Sequence, residues 1–355
     1  MNKYVCKLIV LAVMVLAMCG KGFADVKINE ANFPDEIFRS YVSSNCDTDR
    51  NGTLSDAEIA TVTRVIVNST NISSLKGIEY FTALTFLECP NNQLTALDVS
   101  HNTALTNLVC SYNQLTALDV SHNTALTLLW CYNNQLTALD VSKNTDLTSL
   151  YCGNNQLTAL DVSKNTALTF LNCSYNQLTA LDVSNNTALT SLKCDTNQLT
   201  ALDVSNNTAL TYLDCSSNQL TALDLSNNTN LIDLRCDFTI TSADNNFEFN
   251  IADFLKAYKS LDNNLRSIDF FYVYTGGSGN LTLAPDIIAA SNIVSFTIPE
   301  GKNISYIYMV LTYSNSSDKH VYVYPSSGTS SATTDPRLVK RRTHHHNLIT
   351  PLRLR

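Results

Sequence analysis

Leu105-Thr-Asn-Leu108-Val-Cys110-Ser-Tyr-Asn113-Gln-Leu115-Thr-Ala-Leu118-Asp119-Val120-Ser-His-Asn123-Thr-Ala125 is one copy of a 21-residue unit. Seven copies run in tandem, starting at Leu84, Leu105, Leu126, Leu147, Leu168, Leu189 and Leu210. An eighth start at Leu231 keeps Leu234 and Cys236, then has Thr239 where the others have Asn. A fixed period of this kind marks a stacked repeat: no unit buries a core alone, and neighbours together build one apolar column. Each unit is expected to make one coil that climbs a strand spacing, about 4.8 Å. Leu, Leu and Cys at positions 1, 4 and 6, then Leu, Leu and Val at positions 11, 14 and 16, are expected to point inward.

Three polar series share the period. Asn recurs at position 9 (Asn92 to Asn218) and at position 19 (Asn102 to Asn228). A side-chain amide both donates and accepts, so both series are expected to satisfy buried backbone groups of the turns. Asp98, Asp119, Asp140, Asp161, Asp182, Asp203 and Asp224 form the third series. Carboxylates one strand spacing apart repel, so each is expected to accept from a nearby backbone N–H or Thr hydroxyl that keeps it ionised. A calcium ladder is the alternative, but such β-rolls need Gly-rich turns that these units lack.

Cys89, Cys110, Cys131, Cys152, Cys173, Cys194, Cys215 and Cys236 stand 21 residues apart. Parallel strands in register aim these side chains the same way, which disfavours the disulfide dihedral. They are therefore read as buried free thiols acting as small hydrophobes, with bridges between neighbours as the alternative. Cys46 lies outside the series.

The units differ chiefly at positions 3, 5 and 8. Positions 3 and 5 alternate outward from Leu and Cys on a strand. They carry Phe86, Trp130, Tyr151, Phe170 and Tyr212; position 8 adds Tyr112 and Tyr175, and position 7 adds Tyr132. The strip turns charged toward Lys193, Asp195, Asp214 and Arg235. Trp and Tyr are typical binding anchors, and aromatic faces suit sugar rings, so these eight aromatics are the candidate ligand-binding residues. The other reading is that aromatics simply favour strands.

Residues 25–83 are expected to cap the first coil with helices. One helix is expected to begin at Pro34, with Asp35 and Glu36 in its first turn and Ile37, Phe38, Tyr41 and Val42 on its apolar face. A second is expected over Asp56–Val67. Between them, Asp47-Thr-Asp49-Arg-Asn51-Gly52-Thr53-Leu-Ser55-Asp-Ala-Glu58 has the spacing of a twelve-residue EF-hand calcium loop. Asp47, Asp49 and Asn51 would supply oxygens at positions 1, 3 and 5, Thr53 its carbonyl at 7, Ser55 position 9 and Glu58 a bidentate carboxylate at 12. The cofactor expected is structural Ca²⁺; a loop kept only as a cap is the alternative.

Both ends differ from the body. Met1–Lys7 is basic, Leu8–Met18 is apolar and Gly22-Phe-Ala24 offers small residues, the pattern of a secretion signal cleaved after Ala24. Cleavage before Cys19 as a lipoprotein is the rival. Residues 237–325 lose the repeat: a short helix is expected over Ile251–Leu261, followed by strand-like runs of a small β-rich module. Residues 326–355 read as a Ser/Thr-rich linker and a disordered basic tail.

The chain has 355 residues and a net charge of −8, and residues 25–336 hold 14 basic against 31 acidic residues, a net of −17. An acidic body argues against nucleic-acid binding and against docking on anionic membranes. No run after the leader is long enough to span a membrane. The unit shows no Ser, Cys and His constellation for catalysis; His101 and His122 sit at equivalent positions expected to face solvent.

The unit LxxLxCxxNQLTALDVSxNTA resembles the cysteine-ladder leucine-rich repeats of internalin-J-type bacterial surface proteins, over residues 84–236. The resemblance implies a leucine-rich-repeat β-solenoid with a parallel sheet. It also implies extracellular protein or glycan binding, often adhesion to host or neighbouring cells, and no catalysis. The expected protein is thus secreted or surface-exposed, monomeric and not an enzyme; an architectural spacer without a ligand is the alternative, with a secreted enzyme as the third reading.

Overall fold

The computed structural model describes residues 25–236, except 221, 222, 226 and 229, and the backbone of the strands between Asp237 and Pro325. The leader, the segment expected as a helix over Ile251–Leu261 and residues 326–355 lie outside the described residues. The chain divides into two compact units, Met1–Leu189 and Thr190–Arg355.

The first unit opens with β1 (Val26–Lys27), helix α1 (Glu36–Asn45), β2 (Thr53–Leu54) and helix α2 (Asp56–Thr61). β1 and β2 pair antiparallel across the ends of the intervening helix and loop. Helix α1 starts two residues later than its Pro suggests. Asp35 is the N-cap: its carboxylate accepts the N–H groups of Ile37 and Phe38, both at 3.0 Å, which leaves Pro34 outside the first turn. Phe38 and Val42 on its inner face are fully buried.

The second helix is shorter than Asp56–Val67. It ends at Thr61, and Arg64–Ile66 form strand β3 instead. Val62, Val65, Ile66 and Val67 are β-branched and favour a pleated surface over a helix. β3 pairs parallel with β4 (Phe86–Glu88), matching Arg64 to Phe86, an offset of 22 residues. The sheet therefore begins one strand before the recognisable repeat. A 3₁₀ turn at Ile78–Tyr80 leads into the first full unit.

From there the register is constant. Strands β5 (Asn107–Val109), β6 (Leu128–Trp130), β7 (Ser149–Tyr151) and β8 (Phe170–Asn172) follow in one parallel sheet, with Phe86 opposite Asn107, Asn107 opposite Leu128 and Leu128 opposite Ser149. Each coil thus lands one 21-residue unit above the last. Positions 1, 4, 6 and 16 are buried in all seven coils and position 11 in the first six; Leu105, Leu108, Cys110, Leu115 and Val120 have no exposed surface. Each such aliphatic side chain contributes about 1.5–3 kcal/mol when fully buried. Nothing but the next coil covers it, so stacking supplies the core.

Position 8 turns the chain out of each strand and does so in the left-handed region. Asn91, Tyr112, Asn133, Asn154 and Tyr175 have φ between 54 and 56°. Asn tolerates this conformation; a bulky ring does so at a cost of about 1–2 kcal/mol.

The position-9 amides then act as anticipated. Asn113 accepts Leu94 N–H at 3.0 Å and donates to the carbonyls of Cys89 and Cys110, each at 3.0 Å. The position-19 series departs from expectation because it only donates. Asn123 Nδ2 reaches the carbonyls of Val99 and Asn102 at 2.9 Å, while the buried Oδ1 atoms of Asn102, Asn123, Asn144 and Asn165 have no partner. The carbonyls at this corner point toward the amide nitrogen, and the N–H groups beside it close local turns, as in Leu126 N–H to Asn123 O.

The Asp series accepts from Ser, not Thr. The Ser121 N–H donates to Asp119 at 2.9 Å and Ser142 N–H to Asp140 at 2.8 Å, two residues on in each case. These backbone donors lower the carboxyl pKa values, so the exposed series stays ionised.

In the second unit β9 (Ser191–Lys193), β10 (Tyr212–Asp214) and β11 (Asp233–Phe238) are parallel, with Tyr212 opposite Asp233. Strands β12 (Ile240–Ala243) and β13 (Asn246–Asn250) come next, followed by β14 (Leu265–Tyr274), β15 (Gly277–Leu283), β16 (Ile293–Thr297), β17 (Ile304–Tyr313) and β18 (Lys319–Pro325). β18 adds to β11 in parallel, and β17, β14 and β15 continue antiparallel beyond it. β12, β13 and β16 form a separate antiparallel sheet.

Candidate functional site

The outward side chains of the first unit's sheet build a contiguous aromatic cluster. Tyr132 and Tyr151 have ring centroids 4.3 Å apart with planes at 35°. Tyr112 meets Tyr132 edge-on at 5.1 Å. Tyr151 contacts Trp130 at 6.3 Å and Phe170 at 6.0 Å, both edge-to-face. Such pairs contribute about 0.5–1.5 kcal/mol beyond their buried area, so the rings hold one another in place. Trp130 Nε1 donates to Ser149 Oγ at 3.2 Å on the next strand, which fixes the indole. Tyr112 remains 39% exposed, the only aromatic among the described residues that counts as an exposed large hydrophobic.

The cluster sits among neutral neighbours. From Asn107 to Tyr175 positions 3, 5, 7 and 8 hold Asn, Val, Ser, Leu, Gly, Phe, Tyr and Trp, and no charged residue. Gly153 stands at position 7, where a Cβ would lie 2.9 Å from Asn172 Oδ1 and 3.0 Å from the Ser174 carbonyl oxygen, so a side chain there would make its neighbours shift. Asn133 and Asn154 pair through their side-chain amides beside the rings.

The other three candidate aromatics have surroundings of their own. Phe86 is covered by the Arg64 guanidinium, 3.9 Å from its ring centre. Arg64 escaped the sequence reading because its segment reads as helix. Tyr175 is half-buried at the left-handed position. Tyr212 belongs to the second unit, where Lys193 Nζ and the Arg235 guanidinium lie 5.0 and 5.6 Å from its ring.

That charged group is less outward than its pattern implies. Asp195 and Asp214 are 3% and 7% exposed, so both carboxylates are buried on successive coils. Ser216 Oγ donates to Asp214 at 2.7 Å, and Arg235 lies 4.0 Å from Asp214 and 3.8 Å from Asp233. Burial, then the Asp195 charge, push the Asp214 carboxyl up to about 7 against the opposing pull of Arg235.

The acidic loop of the first unit gathers Asp47, Asp49 and Glu58, each with one carboxylate oxygen within 4.8 Å of the others. Asp47 accepts Gly52 N–H at 2.9 Å, which needs the positive φ of 82° that Gly52 supplies. Glu58 accepts Thr48 N–H at 2.6 Å and Thr48 Oγ1 at 2.8 Å on one oxygen, and Ser55 N–H at 2.9 Å and Oγ at 2.8 Å on the other. These donors, Ser55 N–H first, hold its carboxyl down to about 2. Asn51 folds onto Asp49 at 2.8 Å and accepts from Thr53 N–H. Thr53 itself lies in β2, opposite Lys27. The donors are hard oxygens in one small loop, a set that fits Ca²⁺ better than a softer metal.

The comparisons with known proteins agree with the coil. A family profile described as leucine-rich repeats, two copies, matches residues 124–165. Internalin J of Listeria monocytogenes serotype 4b (strain F2365) is 46% identical over 68 residues, 19% of this chain and 7% of that protein. The solved functional domain of internalin J, whose description includes a cysteine ladder, is 41% identical with a TM-score of 0.52, covering 61% of this chain and 53% of that one. Internalin C2 from the same strain shares the fold at 24% identity and a TM-score of 0.55, over 60% of this chain and 97% of that one. The chain thus spans about half of the solved internalin J domain and a small part of the whole protein. Its repeats are similar to those of internalin J in sequence and in the coil they form. No helix among the described residues is long and apolar enough to cross a membrane.

Proposed function

We propose that this chain is an extracellular binding protein, secreted or displayed at the cell surface after removal of residues 1–24, and that it attaches to protein or glycan on host or neighbouring cells. The observation that carries the reading is the aromatic cluster of Tyr112, Trp130, Tyr132, Tyr151 and Phe170. It occupies the positions that vary, in coils otherwise near-identical. Repeats conserved for folding do not need aromatics there; a partner surface does. The homology to internalin J supports the same class and gives no ground for catalysis. We infer that the protein works as a monomer, its coils burying their apolar column against one another.

The experiment is binding of the labelled full chain to cultured epithelial cells and to bacterial cells, with and without Trp130→Ala and Tyr151→Ala. Loss of binding with an intact thermal melt supports the reading. Undiminished binding by both variants defeats it and leaves an architectural spacer.

Residues 25–83 serve as the cap, and its loop takes calcium. Asp47, Asp49, Asn51, Ser55 and Glu58 would hold the ion with the Thr53 carbonyl, and the ion would supply charge that keeps the acidic loop closed. Extracellular modules of this kind bind at about 10⁻⁴–10⁻³ M, so ambient calcium would stabilise the fold by mass action without signalling. The melting temperature should rise on adding calcium and fall with a chelator; Asp47→Ala should abolish both responses. Residues 237–325 close the other end, with β18 covering the edge of β11.

A further inference from the structure

The aromatic cluster has two properties beyond being aromatic. First, it is electrically blank. Charge stops at Glu88 before it, and the outward positions from Asn107 to Tyr175 carry none. A partner that recognises through ion pairs finds nothing there, whereas hydroxyl-rich neutral rings pair with aromatic faces and amides. Second, rings are kept against the backbone's preference at Tyr112 and Tyr175, and Tyr112 is the exposed one. Position 8 requires the left-handed region, and the chain places Asn there at 91, 133 and 154. At 112 it keeps Tyr at φ 54°, leaves the ring 39% exposed and props it edge-on against Tyr132 at 5.1 Å. Folding alone would favour Asn. Strain retained at an exposed ring points to recognition.

The spacing adds a third argument. Successive coils rise by about one strand separation, ~4.8 Å, close to the length of one pyranose unit in an extended chain. Rings on consecutive coils therefore offer about one stacking platform per sugar. The Asn133 and Asn154 amides flank the same coils and offer hydrogen-bonding groups to sugar hydroxyls.

We propose that Tyr112, Tyr132, Trp130, Tyr151 and Phe170 form a row of subsites for a neutral, extended oligosaccharide lying across the strands, with Tyr112 as its exposed terminal platform. This rests on the binding reading above and narrows its ligand to one chemical class. Trp130 is the sole tryptophan of the chain, so its emission reports on the row directly.

The full chain is titrated with cellohexaose, chitohexaose and mannohexaose, with hexagalacturonate as the charged control, followed by Trp130 fluorescence and calorimetry. At least one neutral hexaose should give saturable binding and shift the emission, and hexagalacturonate should bind at least about tenfold more weakly, the equivalent of 1.4 kcal/mol. Tyr112→Phe should retain binding. Tyr112→Asn should weaken it by about tenfold while raising the melting temperature, a combination that a merely misfolded variant does not give. No saturable response to any neutral hexaose overturns the proposal, as does equal binding of hexagalacturonate or an unchanged affinity in Tyr112→Asn. If cell attachment depends on Trp130 and Tyr151 while every hexaose fails, the oligosaccharide assignment falls and the binding reading stands.

Discussion

The side-chain oxygen of Asn113 accepts the backbone N–H of Leu94, 19 residues earlier, at 3.0 Å, and so fastens one coil to the one beneath it. The same amide donates to the carbonyls of Cys89 and Cys110, both fully buried residues. Asn113→Ala strands the buried Leu94 N–H, at a cost of about 1–3 kcal/mol, while the Cys89 and Cys110 carbonyls keep the amides of Asn92 and Asn134. A loss of about 1–3 kcal/mol is expected, read as a lower urea midpoint. A midpoint within error of the parent would show that the ladder is not what joins the coils.

Glu58 makes the stability of residues 25–83 sensitive to acid. Its folded carboxyl sits at about 2 against an ordinary 4.5, held there by the Ser55 N–H first and by Thr48. A depressed carboxyl stabilises fully above its unfolded value and loses that contribution as pH falls. Thermal melts should therefore drop between about pH 5 and pH 2. In Glu58→Gln the melt should be lower at pH 7 and nearly flat over that window; an unchanged acid slope would rule Glu58 out as its source.

Asp214 works in the opposite sense. Its carboxyl is raised from an ordinary 3.8 to about 7 by burial and by Asp195, with Tyr212, Asp233 and Arg235 also facing it. The folded state then binds the proton more tightly than the unfolded chain, so stability falls as pH rises from about 4 to about 7 and levels off above. Asp214→Asn should remove that decline and stabilise the second unit at pH 8. A carbon-13 carboxyl titration with a midpoint near 4 would contradict the assignment.

The cysteines should be chemically silent in the folded protein. All nine from Cys46 to Cys236 are buried thiols. Burial first, and the neighbouring thiols of Cys89 and Cys110 second, push Cys110 and Cys131 well above the ordinary thiol range, which suppresses the reactive thiolate. With residues 1–24 removed, a disulfide reagent at pH 8 should modify almost none without denaturant and nine with it. Fewer than nine after denaturation would indicate bridges.

The coil was legible because its causes recur. A Leu, Cys or Asn whose environment returns every 21 residues is written into the chain each time. What escaped the reading is what happens once or shows only in three dimensions. Val65 is a core residue of the first strand, but its partner Leu87 is 22 residues away and its segment has a helical neighbour, so the strand read as helix. Arg64 went unnoticed as the cover of Phe86 for the same reason. Asp195 and Asp214 stand at nominally outward positions, yet the neighbouring coil buries them. The left-handed turn at position 8 is announced by Asn91 and Asn133 and hidden by Tyr112, Tyr175 and Thr196, whose side chains give no hint of it.

The constant register also bears on inheritance. Because Phe86 faces Asn107 in the same way that Asn107 faces Leu128, a coil meets an equivalent surface whichever copy lies below it. Excising or duplicating one whole unit rebuilds every seam. Near-identical gene segments exchange unevenly during recombination, so descendants can gain or lose single coils while each remaining seam keeps its register.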